Sequence, residues 1–417
     1  MNFLCIRSAL SLVLVLWATS ESRASNVVTD WNSIESSVIV TNGGKASSTA
    51  SVWFAYTSIA VYDGVNAIDH RYRPFYYSVT APGGASEDAA AIAAAHRILV
   101  KYFPAQQSTL DSQFNASLGQ ITASADSKAA GVTVGEAAAG ALITARAADG
   151  LEANVSYAPG SGPGVWVPTP PKFAPALTPW LGQMRPFTMT TAAQFLPAGP
   201  SALASEEWVR DFNQTRTLGG TNSTVRTPQQ TETALFWTEH TAQQYARAFG
   251  YLAENKKLDV VDSARLMAIL WTGFADAAIG CWNAKYRYNF WRPATAIPAG
   301  GASDKLVADP QWTSLGVTPS HPEYPAAHGC VTGAISDLLE RYFGTSKVHF
   351  VVDSRAFGET VHTHTFEDTH ALYDEVSWAR IYAGFHYNHS LQDGGTLGRR
   401  VSEQLFTKYF QPQPQTH

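Results

Sequence analysis

Apolar residues recur at helical spacing along nearly the whole chain, and almost nothing alternates at the two-residue period of a half-buried strand. Residues 50–69 carry Ala, Val, Tyr and Ile at that spacing. Residues 86–103 are Ala-rich and open with Glu87 and Asp88, acids that suit the positive end of a helix. A third Ala-rich segment, 126–148, is closed by Gly150. Thr227-Pro228-Gln229-Gln230 has a capping-box pattern with Pro at the first helical position, so a long helix is expected from there toward Asn255. Another runs from Val260 to about Lys285. Leu397, Val401, Leu405 and Tyr409 recur every four residues in a last amphipathic helix. Only residues 347–353 make a modest strand candidate. The expected class is all-α, a helix bundle. One segment stands apart: residues 157–200 hold too many Pro and Gly for helix or central strand. This long loop either separates two helical halves or folds over a site.

Composition narrows the function classes. Hydrophobic residues make up 45% of the 417, enough for a large core. The net charge of −5 argues against a general nucleic-acid binder, which needs a basic surface to meet phosphates. The N-terminus has a short positive stretch ending at Arg7, an apolar run over 8–18, and small residues at Ser22 and Ala24. That is the pattern of a signal peptide over residues 1–24, which places the mature protein outside the cytoplasm, secreted or periplasmic. The richest later apolar run, 261–280, holds Asp262, Arg265 and Asp276, so no membrane span is expected after cleavage. The mature chain is taken as one helical domain over 25–410, with a disordered tail over 411–417. Cys281 and Cys330 remain. In an oxidising compartment they can pair or stay as two buried thiols.

Common catalytic signatures are missing: there is no GxSxG, HExxH, P-loop, GxGxxG or CxxCH. His362 and His364 could face one way on a strand as metal ligands, but no third ligand is evident, and solvated or core histidines are the better reading. Three segments of the last third do combine: Lys285 to Arg292-Pro293, His321 to His328, and Arg380 to His386. Together they offer three cations beside three imidazoles. Lysine supplies a point charge and the guanidiniums supply planar forks, a set that suits a tetrahedral oxyanion. Pro325 fits the start of a helix running to about Tyr342, stopped by Gly344, whose first amides near Ala327 could face an anion. His328 would sit in that first turn, placed for proton transfer. Arg380 and His386 are six residues apart, about 600° of unbroken helix, so they would diverge by about 120°. The helix from Thr369 is therefore expected to loosen near Gly384.

The succession K-x6-R-P, P-x-x-H and R-x5-H resembles the vanadium-dependent haloperoxidases and the type 2 phosphatidic acid phosphatases, which share one site. The resemblance covers about residues 265–405. It implies their helical architecture, with Lys285, Arg292, Arg380 and the Ala327 amide holding the oxygens of a bound vanadate or phosphate. It makes His386 the vanadium ligand or the phosphorus nucleophile, and His328 the acid–base residue. His321 resembles a second histidine of bromoperoxidase-type members, which favours bromide over chloride; it is also readable as an ordinary loop residue.

The sequence departs from the pattern in three places. Ala326-Ala327 replace the usual Ser-Gly before His328, Ala379 replaces Ser, and Ser390 replaces the Asp expected four residues after His386. A rival register uses His389 with Asp393, restoring the carboxylate spacing but breaking R-x5-H; His386 is preferred. The first function implied is a vanadium-dependent haloperoxidase oxidising halide with hydrogen peroxide. The second is an acid phosphatase working on phosphate esters through a phosphohistidine, without vanadate. The third is an inactive oxyanion-binding helical protein. In each case the partners are small molecules.

Overall fold

A computed structural model describes residues 26–414. The expected signal segment, 1–24, lies outside them, as do residues 415–417. The first half comprises α1 (Val27–Ser36), α2 (Ser47–Asp69), α3 (Glu87–Tyr102), α4 (Gln107–Gln120) and α5 (Ala125–Ala145). After the long loop come α6 (Glu206–Gly219), α7 (Pro228–Phe236), α8 (Thr241–Asn255), α9 (Val260–Tyr288) and the single turn α10 (Pro293–Ala296). Then follow α11 (Ala327–Phe343), strands β1 (Phe350–Phe357) and β2 (Thr360–Phe366), α12 (Thr369–Tyr382) and α13 (Asn388–Lys408). The fold is the helical one expected, with one antiparallel hairpin added. In that hairpin Phe350 pairs with Phe366 and Val352 with His364.

The helix ends follow local chemistry. Ser86 and Asp259 accept hydrogen bonds from the first turns of α3 and α9, and the Thr227 capping box forms as expected. Gly344 stops α11 in the left-handed conformation. The expected single helix from Thr227 to Asn255 is two. α7 ends at Phe236 and α8 starts at Thr241 because tertiary contacts claim the backbone between them: the Trp237 carbonyl accepts Arg380 Nη1 at 2.7 Å. α11 starts at Ala327 rather than Pro325, whose carbonyl is taken by Lys285 Nζ.

Helix α9 lies at the centre, against α2, α11 and α13. It alone among the described residues is long and apolar enough to cross a membrane, and 94% of its most apolar window is buried in this fold. α11 and α13 cross closely through glycines; a Cβ on Gly398 would stand 2.1 Å from the Cys330 carbonyl. The Pro-rich loop is pinned at its C-terminal end. Buried Asp276 of α9 accepts the Phe187 and Thr188 amides at 2.7 Å, and Arg146 donates to the carbonyls of Arg185 and Pro186. The tail expected to be disordered is paired as far as Gln413: Pro412 bridges to Tyr72 and the Gln413 amide donates to Arg71.

Every sulfur atom among the described residues is buried. Cys281 and Cys330 are unbridged thiols lying against one another, and Met184, Met189 and Met267 are at most 6% exposed. His362 and His364 pair with Glu232 and Glu375 on the hairpin and stack on Phe357 and Phe236. No group of three or more His, Cys, Asp or Glu among the described residues is arranged to hold a metal ion.

Candidate functional site

The three motifs converge because a second, aromatic core ties them together. Phe290 and Trp291 of the first motif, Tyr324 of the second and Tyr387 of the third pack with Trp208 and Phe212 of α6. Trp208 and Tyr387 meet edge-to-face at 4.8 Å. Burying each such ring is worth on the order of 2–3 kcal/mol, so this cluster fixes the relative positions of segments that are far apart in sequence.

In front of the cluster opens a cavity of about 440 Å³. Its walls are largely apolar, with Leu235, Trp237, Phe274, Trp282, Val317 and Phe385 among them; Leu177 of the Pro-rich loop reaches one side. Its polar lining includes His321, His328, Arg380, His386 and Thr241, the first amide of α11 at Ala327, and also Ser47, Ser48, Thr238 and Glu239, the last paired with Arg247. α12 ends at Tyr382 and Gly384 takes φ 75°, which breaks the helix between Arg380 and His386 and turns both side chains into one cavity. The other histidine of the rival register points elsewhere. His389 is bound to Asp211 of α6 at 2.9 Å, and Asp393 accepts the Tyr324 hydroxyl at 2.6 Å. Burial lowers the pKa of His389, but Asp211 outweighs it and the net shift is upward.

Arg292 is fully buried and reaches the cavity through two imidazoles. Its Nη1 lies 3.1 Å from His386 Nε2, and its Nη2 lies 3.0 Å from His321 Nδ1. Nε and Nη1 also donate to the carbonyls of His321 and Phe385. A guanidinium only donates, so His386 Nε2 is an acceptor. Arg380, 3% exposed, donates once, to Trp237, and its Nε has no partner. Burial pulls the pKa of Arg292 down to about 10, and burial with the nearby Arg292 charge pulls Arg380 down to about 9.

Lys285 is placed differently from what its motif implies. Its ammonium donates to the carbonyls of Pro322 (3.0 Å), Glu323 (2.8 Å) and Pro325, so its three protons are spent on the loop before α11. What reaches the cavity is its charge. After burial, nearby cations push the His321, His328 and His386 pKa values well below the ordinary imidazole range, Arg292 and Lys285 acting on all three and Arg380 on His328 and His386. All three rings are therefore neutral at pH 7. His328, in the first turn of α11, is half-buried, and its Nε2 is 3.2 Å from the Thr241 hydroxyl. Ala327 is the first residue of that helix, where an amide has no partner within the helix.

Sequence reading passed over Glu323, which lies inside the second motif. It is fully buried, and its Oε1 sits 2.7 Å from His386 Nδ1 and 3.2 Å from the Tyr387 amide. The signal available was a lone acid beside a proline in an otherwise apolar run. Nothing local indicated a contact 63 positions away.

The fold is thus a helical one that brings three buried cations and three neutral imidazoles to one largely apolar cavity. Residues 265–413 match the family model of the VCPO second helical-bundle domain. A vanadium chloroperoxidase of Curvularia inaequalis is 27% identical over 198 residues, which span 40% of this chain and about a third (32%) of that relative. Among solved structures, the first bacterial vanadium-dependent iodoperoxidase superposes with a TM-score of 0.78 at 24% identity, covering 94% of this chain and 98% of that one. An apo-type bacterial vanadium-dependent chloroperoxidase superposes with a TM-score of 0.69 at 15% identity, covering 86% and 92%. Residues 265–413 are thus similar to that second helical-bundle domain, and the chain shares the fold of the bacterial vanadium-dependent haloperoxidases.

Proposed function

We propose that this protein is a vanadium-dependent haloperoxidase, exported by its N-terminal segment, that oxidises halide with hydrogen peroxide. The observation that carries this reading is the charge imbalance beside the cavity: three buried cations, Arg380 in its wall and Lys285 and Arg292 behind it, stand with one buried carboxylate, Glu323, while Glu239 of the lining is already paired with Arg247. An apolar interior holds uncompensated charge only at high cost, and an anion at the polar surface removes that cost. Vanadate fits the donors. Arg380 offers an unpartnered Nε, Ala327 a first-turn amide, and His386 a neutral Nε2 whose lone pair is directed at the cations. Arg292 would move its Nη1 bond from His386 to the anion, while Lys285 supplies charge from behind. When bound, vanadate supplies a Lewis acid that activates peroxide toward halide without itself changing oxidation state.

The chain's own residues do the rest. His328, held neutral by burial and by Arg380, is ready to take a proton from peroxide, and the Thr241 hydroxyl steadies its ring. The apolar walls exclude water and admit a polarisable halide. His321, buried against Trp282 with ring centres 4.9 Å apart and held by Arg292, supports bromide over chloride.

A phosphatase reading keeps one specific observation in its favour. A carboxylate stands behind His386, as a nucleophilic histidine needs. One pair of assays separates the two: peroxide-dependent bromination with and without added vanadate, and phosphate-ester hydrolysis without it. Bromination that requires vanadate is expected; ester hydrolysis with no bromination overturns the proposal.

A further inference from the structure

The family pattern places an Asp four residues after the third-motif histidine, and this chain has Ser390 there. Asp393, the next acid along, is committed to Tyr324. We propose that Glu323 is the positioning residue for His386, a carboxylate supplied from the second motif in place of the one missing from the third. This rests on the reading of His386 as the vanadium ligand.

The geometry fixes a proton as well as a ring. Arg292 Nη1 can only donate, so His386 Nε2 carries the lone pair. Nδ1 therefore bears the hydrogen and gives it to Glu323 Oε1 at 2.7 Å. The same oxygen accepts the Tyr387 amide, so the carboxylate holds both the imidazole and the backbone that carries it. Glu323 is itself fixed by its main chain. Its amide donates to Phe290 and its carbonyl accepts Lys285 Nζ, both from the first motif. One residue of the second motif thus locks the first motif to the third. The Ser390 hydroxyl lies beside the same carboxylate, so Glu323 fills the space that a carboxylate at position 390 would enter. Partners behind a metal-binding histidine set its tautomer and basicity, and losing one weakens metal affinity by about 10- to 100-fold.

Two measurements test this. The first is the ¹⁵N NMR spectrum of the histidines in the anion-free protein, with His386→Ala used for assignment. His386 is expected to hold its proton on Nδ1, and Glu323→Gln is expected to lose that fixed tautomer. A wild-type proton on Nε2 overturns the proposal, and this readout needs no vanadate. The second is calorimetry with vanadate and with phosphate, the latter being held by the cations without a bond to His386. Glu323→Gln is expected to weaken vanadate by about 10- to 100-fold and phosphate by less than about threefold. Glu323→Ala, which vacates the space beside Ser390, is expected to lose vanadate affinity likewise, and Glu323→Ala combined with Ser390→Asp is expected to recover it. Unchanged vanadate affinity in Glu323→Gln, or equal losses for both anions, overturns the positioning role. If the wild type binds both anions alike and His386→Ala changes neither, the vanadium reading fails instead, while the NMR result still judges Glu323.

Discussion

The molecule buries arginines in two places and treats them in opposite ways. Arg146, at the end of α5, meets Asp149 at 2.6 Å, and its other nitrogens donate to two carbonyls of the Pro-rich loop. Tyr56 donates to the same Asp149. Burial works against the Arg146 charge, yet Asp149 and nearby tyrosines raise its pKa overall. Arg380 has no carboxylate at all. The strongest charge it feels is another arginine, and its pKa falls. Both residues are at most 3% exposed, so depth does not distinguish them. A buried cation with its counter-charge built in fastens a loop. A buried cation without one is, on the proposed function, completed by a bound anion.

Four experiments break or sharpen that contrast. The largest effect is expected where the unpaired charges serve chemistry: His328→Ala should cut bromide turnover by about 100- to 10,000-fold, the span for a lost acid–base group. Vanadate affinity should stay near normal, and steady-state kinetics with calorimetry on one preparation read both. At the paired cluster, Asp149→Ala strands Arg146 and should cost about 3–5 kcal/mol of stability in chemical denaturation, with phosphate affinity untouched. A variant as stable as the wild type would erase the difference between the two clusters. Arg380→Met should do the converse. Phosphate affinity should fall by about 1.5–3 kcal/mol, the range for charged hydrogen bonds, while the anion-free protein melts no lower than the wild type.

The smallest effect concerns Lys285. Burial lowers its pKa to about 8, against about 10.4 in an unfolded chain. Between those values the unfolded chain binds more protons, so this group makes the anion-free fold more stable as pH rises through the window. Phosphate affinity runs the other way and should fall over the same window by about 1–2 kcal/mol, the Coulomb energy of one charge roughly 8–16 Å away at an effective dielectric near 20. Titrating both quantities from pH 7.5 to about 10 in wild type and Lys285→Met checks the signs; the variant should have the shallower slope, what remains coming from Arg380 and Arg292.

What could be seen in the sequence was whatever depends on neighbours along the chain. The break near Gly384 follows from the angle between Arg380 and His386. The α11 stop follows from Gly344, and the α7 start from Thr227 and Pro228. What could not be seen depends on distant partners. Trp237 ends α7 because Arg380 claims its carbonyl. Lys285 is spent on Pro322, Glu323 and Pro325 because that loop folds back over α9. Asp211, on a helix the sequence reading did not single out, holds His389. Glu323 is the sharpest case: the spacing rule looked for a carboxylate after the histidine, whereas the fold delivers it from 63 positions earlier.

The burial of sulfur gains a meaning from the proposed reaction. A protein that generates hypohalous acid is the molecule nearest to its own product, and sulfur side chains oxidise according to their exposure. Here two thiols and three thioethers are sealed in the core, and Cys281 Sγ lies against the Pro325 carbonyl that Lys285 also holds. The surface among the described residues therefore offers the oxidant no sulfur to attack. If the proposed reaction runs, resistance of these five sulfurs to the product would last as long as the core stays closed.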